Sequence, residues 1–321
     1  MSESVIVSNW KHGLLAVKGG IEVLKNGGNA IDAVEKGIMA VEDDSSVDSV
    51  GTGGIPNIEG IAELDASIMV GNRYIGAGVT NLRNVKNPIS VARKIMEYSP
   101  HVFMAGEGAV KFARAMGFEY YEPVTDKTKE KWKRLKDMIL NVSRDKEISE
   151  QFQKELGYDI NLDDLIRGIR ILTDAGLLKA SSTVGALALD GSNIVAGTST
   201  SGWALRLPGR VADSAVLGAG TYATPYAASS STGLGEYSIK HNLTRKVCDF
   251  IEEGMTPKDA CEESLELMLK REKVNVIMAL IAIDNRGNVG GATTKESFTY
   301  CYARLSNSKI VEVTPEPVSL H

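Results

Sequence analysis

The stretch from Ser181 to Gly202 constrains the fold of this chain more than any other. Two runs of small, β-branched and apolar residues flank Asp190-Gly191-Ser192-Asn193, a turn cluster that predicts a β-hairpin. If Asp190 pairs with Asn193, the same register puts Thr183 opposite Thr200, with their Cβ atoms about 4.5–5.5 Å apart. The hairpin therefore predicts two hydroxyl groups side by side.

These two threonines have two interpretations. Threonine is a favoured strand residue, so Thr183 and Thr200 can be ordinary members of the two strands. Alternatively, a cut in the chain before Thr183 frees its α-amine, whose pKa of about 7.7–8 suits it to take the proton of its own hydroxyl. The hairpin alone leaves both interpretations open.

Composition argues against several classes of protein. The net charge of −5 and the pI near 5.6 give no reason to expect nucleic acid or an anionic membrane as a partner. The 3 cysteines lack C-x-x-C spacing and the 4 histidines form no H-x-x-x-H pair, so we expect no disulfide framework, no metal and no cofactor. The start lacks the features of a secretory signal, and no window has about eighteen uninterrupted apolar residues. We therefore expect a soluble, cytoplasmic protein.

Apolar periodicity predicts an alternation of strands, hairpins and paired helices. Helices are expected at 14–25, 30–42, from Asn87-Pro88 onwards, and at 105–116, 241–253 and 256–270. Strands are expected at 5–8, 61–70, 73–79, 215–222, 276–284, 289–294 and 299–305. The charged stretch 119–182 predicts an exposed connector with one or two amphipathic helices. This order predicts an α+β fold with two sheets between helical layers.

Two short segments suggest a site for an α-amino acid. In Gly209-Arg210-Val211-Ala212-Asp213-Ser214, Arg210 can hold a carboxylate by a bidentate pair while Asp213 accepts an ammonium. A structural ion pair is an equally open interpretation. Thr232-Gly233, in a stretch expected to be a flexible loop, could supply a hydroxyl and a backbone N–H to an oxyanion.

The other glycine-rich and acidic segments do not predict a binding site. The glycine-rich segments do not complete G-x-G-x-x-G, so nucleotide binding is not the favoured interpretation. The carboxylates of Asp48 and of Glu63-Leu64-Asp65 lack calcium-loop spacing and are expected in solvated turns.

Ordered blocks along nearly the whole chain carry a resemblance to a known family. The blocks are N-W at Asn9, G-G-N-A-I-D-A-V-E at Gly27, D-S-V-G-T-G-G at Asp48, L-D-A-S-I-M at Leu64, N-P-I-S-V-A-R-K at Asn87, T-V-G-A at Thr183, G-T-S-T at Gly197, G-R-V-x-D-S at Gly209, G-A-G-T-Y-A at Gly218 and T-G-x-G at Thr232. The chain resembles the glycosylasparaginase branch of the threonine-type asparaginase and isoaspartyl-peptidase family, a group of self-cleaving N-terminal-nucleophile hydrolases.

The resemblance implies a single four-layer αββα domain, which cuts itself between Ser182 and Thr183 into an α chain (1–182) and a β chain (183–321), and which is usually dimeric after processing. Ser182 stands where the branch generally has an Asp that assists the acyl shift, so slow cleavage is expected. The implied roles are Thr183 as nucleophile, Thr200 as its hydrogen-bonding partner, Thr232 and Gly233 as oxyanion hole, Arg210 for the substrate α-carboxylate, Asp213 and the Gly235 carbonyl for its α-amine, Trp10 for the mouth that admits a glycosylated asparagine, and Ser49 near the nucleophile's amine.

The expected activity is hydrolysis of the side-chain amide of N4-glycosylated asparagine to aspartate and a glycosylamine. Two alternatives stand beside it. One is an isoaspartyl dipeptidase or L-asparaginase of the same family. The other is an uncleaved homologue that binds an amino acid without turnover.

Overall fold

The computed structural model describes residues 3–142, 183–273, 276–296 and 298–318. Within these ranges the chain forms twelve strands and eight α-helices. The strands are β1 (Val5–Asn9), β2 (Leu64–Val70), β3 (Ile75–Leu82), β4 (Phe103–Ala105), β5 (Val184–Leu189), β6 (Ile194–Thr200), β7 (Thr221–Ala223), β8 (Ala227–Gly233), β9 (Met278–Asp284), β10 (Val289–Thr293), β11 (Tyr300–Arg304) and β12 (Ile310–Val313). The helices are α1 (Gly13–Lys25), α2 (Ala30–Glu42), α3 (Pro88–Tyr98), α4 (Gly106–Ala115), α5 (Asp126–Val142), α6 (Gly235–His241), α7 (Leu243–Glu252) and α8 (Pro257–Glu272).

The strands form two sheets. The larger has the order β12-β11-β1-β5-β6-β2-β3-β4 and the smaller the order β10-β9-β8-β7. In the larger sheet, strands from before and after position 183 interleave, so that β11 pairs with β1, β1 with β5, and β6 with β2. Hydrogen-bonded strand pairs therefore join the two parts of the chain at several places.

Helices cover the outer face of each sheet. α1, α2 and α3 pack on the larger sheet, α7 and α8 pack on the smaller one, and the inner faces of the sheets contact each other. One apolar cluster lies between the first helices and the larger sheet, and a second extends from between the sheets to α7 and α8. Every residue of β2, β5, β6 and β8 is buried, because both faces of these strands are covered. The predicted αββα sandwich is confirmed.

The two sheets come very close at Gly185 of β5. A methyl group on this residue would collide with the hydroxyl of Ser230 on β8. The backbone N–H of Gly185 donates to Asn9 Oδ1 at 2.8 Å, which fixes β5 against the end of β1. Only glycine lets β5 lie between these two neighbours.

The predicted hairpin register is confirmed. Val184 lies opposite Ser199 and Leu189 opposite Ile194, and the N–H of Asp190 donates to the carbonyl of Asn193 at 3.2 Å. Thr183 is the residue before the first of these pairs, and Thr200 is the residue after Ser199. The Asp190 carboxylate accepts from the N–H groups of Ser192 and Asn193 at 2.8 and 2.7 Å, which is why this turn forms here.

Two predicted elements are wrong. Positions 215–222 are not one strand, because a 3₁₀ turn (Asp213–Ala215) precedes the short β7. Positions 229–233 are not a flexible loop but belong to the buried strand β8. The helix expected at 241–253 is present as α7, and the shorter α6, which was not predicted, precedes it and meets it at Asn242 in a left-handed conformation (φ 50°).

The charged connector begins with a docked helix. Leu135 of α5 is fully buried with Ile55, Ile58 and Leu205, and Trp132 Nε1 donates to the carbonyl of Asn57 at 2.8 Å. Most charged residues of α5 are exposed, as the amphipathic pattern predicts, while Lys131 and Lys136 donate to Asp48 and to the carbonyl of Ile58. Positions 143–182 of the expected connector lie outside the described residues.

The carboxylates of Glu63 and Asp65 were expected in solvated turns, and this expectation is wrong. Both are buried at the start of β2, where Glu63 pairs with Arg83 at 2.5 Å and Asp65 lies beside Arg206 at 4.0 Å. Buried carboxylates require partners of this kind.

Candidate active site

Thr183 lies immediately before β5 and is buried at 2% exposure. Its backbone nitrogen is 3.3 Å from Thr232 Oγ1, and its hydroxyl oxygen is 3.5 Å from Ser214 Oγ. The larger sheet, the smaller sheet and the loop after β6 therefore all reach this one residue. Ser182, the other half of the predicted cleavage bond, lies outside the described residues.

Thr200 ends β6 and is also buried, at 1% exposure. Its hydroxyl donates to the carbonyl of Ser49 at 3.4 Å and accepts from the N–H of Gly202 at 3.0 Å. The same Ser49 carbonyl accepts from the N–H of Ser201 at 2.8 Å. Ser49 thus supports the end of β6 through its backbone.

Thr232 and Gly233 end β8. Thr232 is 1% exposed, and its hydroxyl oxygen accepts from Trp10 Nε1 at 2.9 Å. Gly233 has φ 128°, and a Cβ on it would overlap the backbone of Ile277 and Met278. This conformation is open to glycine alone. Thr232 Oγ1, at this end of β8, lies 3.3 Å from the Thr183 nitrogen.

Asp213 begins the 3₁₀ turn that follows Arg210 in the chain, and it is 3% exposed. Its Oδ2 accepts from Ser231 Oγ at 2.6 Å. Burial raises the pKa of Asp213 to about 6, although the Ser231 hydroxyl and the charge of Arg210 oppose this. Gly235 begins α6 so close to Asp213 that a Cβ would lie 2.5 Å from Asp213 Oδ1. Asp213 and Gly235, two of the predicted site residues, are therefore adjacent.

Arg210 is held by two residues that the sequence did not single out. Its Nε donates to Glu236 Oε1 at 2.8 Å, and its guanidinium lies 5.0 Å from the centroid of the Trp203 ring. Glu236 is the residue after Gly235 in T-G-L-G-E, so its closeness to the predicted site residues was the available signal. Trp203 carried no comparable signal.

Trp10, predicted to shape the mouth of the site, is half-buried. The indole packs edge-on against the fully buried Phe298, with ring centroids 5.1 Å apart and planes at 85°. Its N–H donates to Thr232 as described above. The backbone of Trp10 is left-handed, at φ 60°.

Buried charged residues anchor the loop that joins Thr200 to Arg210. Arg206 is 2% exposed and donates to the carbonyls of Ser201 and Glu63. Asp65, its buried neighbour, is paired with Thr200 in the register of β2 and β6. At the other end of the loop, the N–H of Gly209 donates to Glu63 Oε2 at 3.2 Å, so buried charged residues hold both ends, which sequence patterns did not predict.

A separate cavity of about 590 Å³ borders this loop at Gly209. Its walls include Glu63, Asn81 and Arg83 but none of the threonines described above. Among the described residues, no group of three or more His, Cys, Asp or Glu side chains is arranged to hold a metal ion. No helix in the described ranges is long and apolar enough to cross a membrane.

The chain is similar to known proteins over most of its length. The family model described as asparaginase matches residues 7–313. A plant-type L-asparaginase of Pyrococcus abyssi is 40% identical over 289 residues, covering 90% of this chain and 88% of the relative. An N(4)-(β-N-acetylglucosaminyl)-L-asparaginase of Elizabethkingia miricola is 34% identical over 307 residues, covering 93% and 81%. An isoaspartyl peptidase/L-asparaginase of Mus musculus is 34% identical over 293 residues, covering 91% and 80%.

These similarities confirm the family that the sequence blocks indicated and leave its branch open. The plant-type enzymes are similar at higher identity than the glycosylasparaginase, so the predicted branch is not confirmed. The match over residues 7–313 and the αββα fold show that this chain belongs to the asparaginase family of N-terminal-nucleophile hydrolases.

Proposed function

We propose that this protein is a self-processing threonine amidohydrolase that cleaves the side-chain amide of L-asparagine and of related β-aspartyl compounds. The observation that carries the proposal is the position of Thr183. This buried residue lies within hydrogen-bonding range of Thr232, while Arg210 and Asp213 lie on the loop after its own hairpin.

The first step is a cut between Ser182 and Thr183, which turns the nitrogen of Thr183 into an α-amine. In the intact chain this nitrogen is 3.3 Å from Thr232 Oγ1, a contact that the free amine can keep. The amine then takes the proton of the Thr183 hydroxyl, as in other enzymes with an N-terminal nucleophile.

In the hydrolytic reaction, Thr183 Oγ1 attacks the side-chain carbonyl carbon of the substrate. Thr232 and the N–H of Gly233 stabilise the resulting oxyanion. The C–N bond breaks, the α-ammonium returns a proton to the leaving amine, and a β-aspartyl ester of Thr183 remains. Water, deprotonated by the same amine, hydrolyses this ester and releases aspartate.

The α-groups of the substrate match the charges of the loop. Arg210 holds the α-carboxylate, while Asp213 and the Gly235 carbonyl accept from the α-ammonium. The 3% exposure of Asp213 makes its charge effective, because water screens it little. A substrate blocked at either α-group should therefore bind poorly.

We favour ammonia or an amino acid as the leaving group over a glycosylamine. Relatives named as plant-type L-asparaginases are 39–41% identical, whereas the relative named as a glucosaminyl-asparaginase is 34% identical. Trp10, the residue on which glycosylasparagine recognition was to depend, is engaged with Thr232 and Phe298. Hydrolysis of glycosylasparagine remains the second candidate.

Kinetics on purified, fully processed protein test the proposal. We expect kcat/KM for L-asparagine or a β-aspartyl dipeptide to exceed that for N4-GlcNAc-asparagine. Thr183→Ala should abolish both cleavage and hydrolysis, and Thr183→Ser, which keeps a hydroxyl, should retain part of each. Hydrolysis by Thr183→Ala at the parental rate would refute the mechanism.

Intact-mass measurement separates the enzyme from a silent binding protein. Two fragments, the smaller beginning Thr-Val-Gly, are expected in place of the 34.5 kDa chain. A single full-length species that binds aspartate without turnover would favour the inactive homologue.

A further inference from the structure

Trp10 connects the end of β1 to the end of β8 through one hydrogen bond. Its Nε1–H donates to Thr232 Oγ1 at 2.9 Å, between residues 222 positions apart in the sequence. The indole is held in place by its edge-on contact with Phe298, which is fully buried. The N–H of Gly13 also donates to the carbonyl of Trp10 at 3.1 Å, so the backbone is anchored as well.

The hydrogen bonds at Thr232 leave only one direction for its hydroxyl proton. A threonine hydroxyl has two acceptor lone pairs and one hydrogen. Indole nitrogen is a donor only, and in the intact chain the amide nitrogen of Thr183, 3.3 Å away, also donates, as an N–H of the free amine can after cleavage. Both lone pairs of Thr232 Oγ1 therefore face N–H groups, and its own hydrogen cannot point at either of them.

We infer that Trp10 is a positioning residue that sets the rotation of the Thr232 hydroxyl. With the rotor fixed, the O–H is delivered to the oxyanion that forms at the carbonyl attacked by Thr183. Oriented donors of this kind act because they need no reorganisation during the reaction. The inference rests on the proposed function and gives Trp10 a role common to every substrate, instead of a role in choosing among leaving groups.

The burial of the pair supports this role. Thr232 is 1% exposed, so few water molecules can compete for its hydroxyl. Without the indole N–H, the Thr232 hydroxyl could rotate about its Cβ–Oγ1 bond, and its proton could point at other neighbouring groups. The oxyanion would then meet a misoriented hydroxyl in part of the molecules.

The first test is Trp10→Phe, which keeps an aromatic ring against Phe298 and removes the N–H. Losing a whole oxyanion donor typically lowers kcat about 10²–10³-fold, so losing its orientation should lower kcat about 10–100-fold. KM should stay within about threefold, and the loss should be similar for asparagine, a β-aspartyl dipeptide and GlcNAc-asparagine. Rates are to be normalised to the processed fraction, measured by intact mass.

Trp132→Phe is the matched control. Trp132 lies on α5, and the substitution removes the hydrogen bond from its indole N–H to the carbonyl of Asn57. We expect this variant to keep the parental kcat. If Trp10→Phe changes only the KM for GlcNAc-asparagine, Trp10 is a mouth residue and the inference is refuted.

A double-mutant cycle with Thr232→Ala shows whether Trp10 acts through Thr232. In the Thr232→Ala background, Trp10→Phe should cause no further loss of kcat. Multiplication of the two separate losses would refute the inference. Both results are independent of whether Thr183→Ala is inactive, so failure here does not count against the proposed function.

Proton–nitrogen NMR keeps the inference testable if Trp10→Phe does not fold. The chain has 3 tryptophans, so three indole signals are expected, and Trp132→Phe and Trp203→Phe identify the third by elimination. Thr232→Ala should shift the Trp10 indole proton upfield and speed its exchange with solvent. An unchanged Trp10 signal would refute the hydrogen bond on which the inference depends.

Discussion

At the scale of single residues, Asp213 should make binding of the free substrate depend on pH. Burial raises the pKa of its carboxyl to about 6, so this group gains a proton as the pH falls below that value. A neutral Asp213 no longer attracts the substrate ammonium. The α-amine of Thr183 must also be unprotonated for the reaction.

We therefore predict that kcat/KM for asparagine falls with a slope approaching two on its acid side below about pH 6. In Asp213→Asn the slope should be one throughout, because only the amine still titrates. The plateau value of kcat/KM should also be lower in Asp213→Asn. The expected loss of transition-state binding free energy is about 2–5 kcal/mol, as when one member of a buried charge pair is removed. Profiles of log kcat/KM from pH 4.5 to 9 measure both effects. Identical acid limbs in the two proteins would contradict this role.

The residues of the site differ in how visible they are in the sequence. Thr183, Thr200, Arg210 and Asp213 lie in blocks that carry a family resemblance, and the hairpin register independently brought the two threonines together. Ser231 and Trp203, which hold Asp213 and Arg210, belong to no such block. Their contacts depend on packing between separate elements, which no local pattern encodes.

At the scale of elements, the confirmed features are those fixed by local chemistry. The Asp190 turn sets the register of β5 and β6, and the Asn87-Pro88 pair starts α3. β8 could not be predicted, because a strand covered on both faces shows no alternation, and its small polar residues are typical of loops. Two of its serine hydroxyls donate inside the fold, Ser229 to the carbonyl of Ile281 at 3.0 Å and Ser231 to Asp213 at 2.6 Å, while Ser230 Oγ has no partner among the described residues.

Gly185 provides a prediction at this scale. In Gly185→Ala the new methyl group would collide with Ser230 Oγ and lie 3.2 Å from Asn9 Nδ2, so the sheets must separate. Overpacking of this kind costs about 1–3 kcal/mol. We expect a lower Tm, and also slower processing, because Thr183 lies two residues away.

Gly108→Ala is the control, since a Cβ at this position of α4 contacts nothing within 4 Å. Alanine in an exposed helix should leave Tm unchanged or raise stability by up to about 1 kcal/mol. Adding Ser230→Gly to Gly185→Ala should recover part of the lost Tm, because it removes the side chain that collides. No recovery would show that the collision is not the cause.

At the scale of the whole molecule, the interleaved larger sheet should hold the fragments together after processing. Pairs β11–β1, β1–β5 and β6–β2 each join a strand from before position 183 to one from after it. Cleavage removes one covalent link and none of these pairs.

We predict that processed protein migrates as two bands under denaturing conditions and as one species in native size-exclusion chromatography with light scattering. The native mass also tests the expected homodimer, which would have twice the mass of one pair of fragments. Separate elution of the fragments would contradict the sheet order. The Thr183→Ala protein, expected to stay intact, supplies the control for the native mass.

The interleaving gives self-cleavage a kinetic consequence. Before the cut, β1 and β5 are tethered, and their encounter during folding is intramolecular. After it, a molecule that unfolds must find its other fragment by diffusion, so recovery would slow on dilution and loss of one fragment would be permanent. The active enzyme would then persist mainly because it unfolds slowly. The activation barrier to unfolding would set its lifetime.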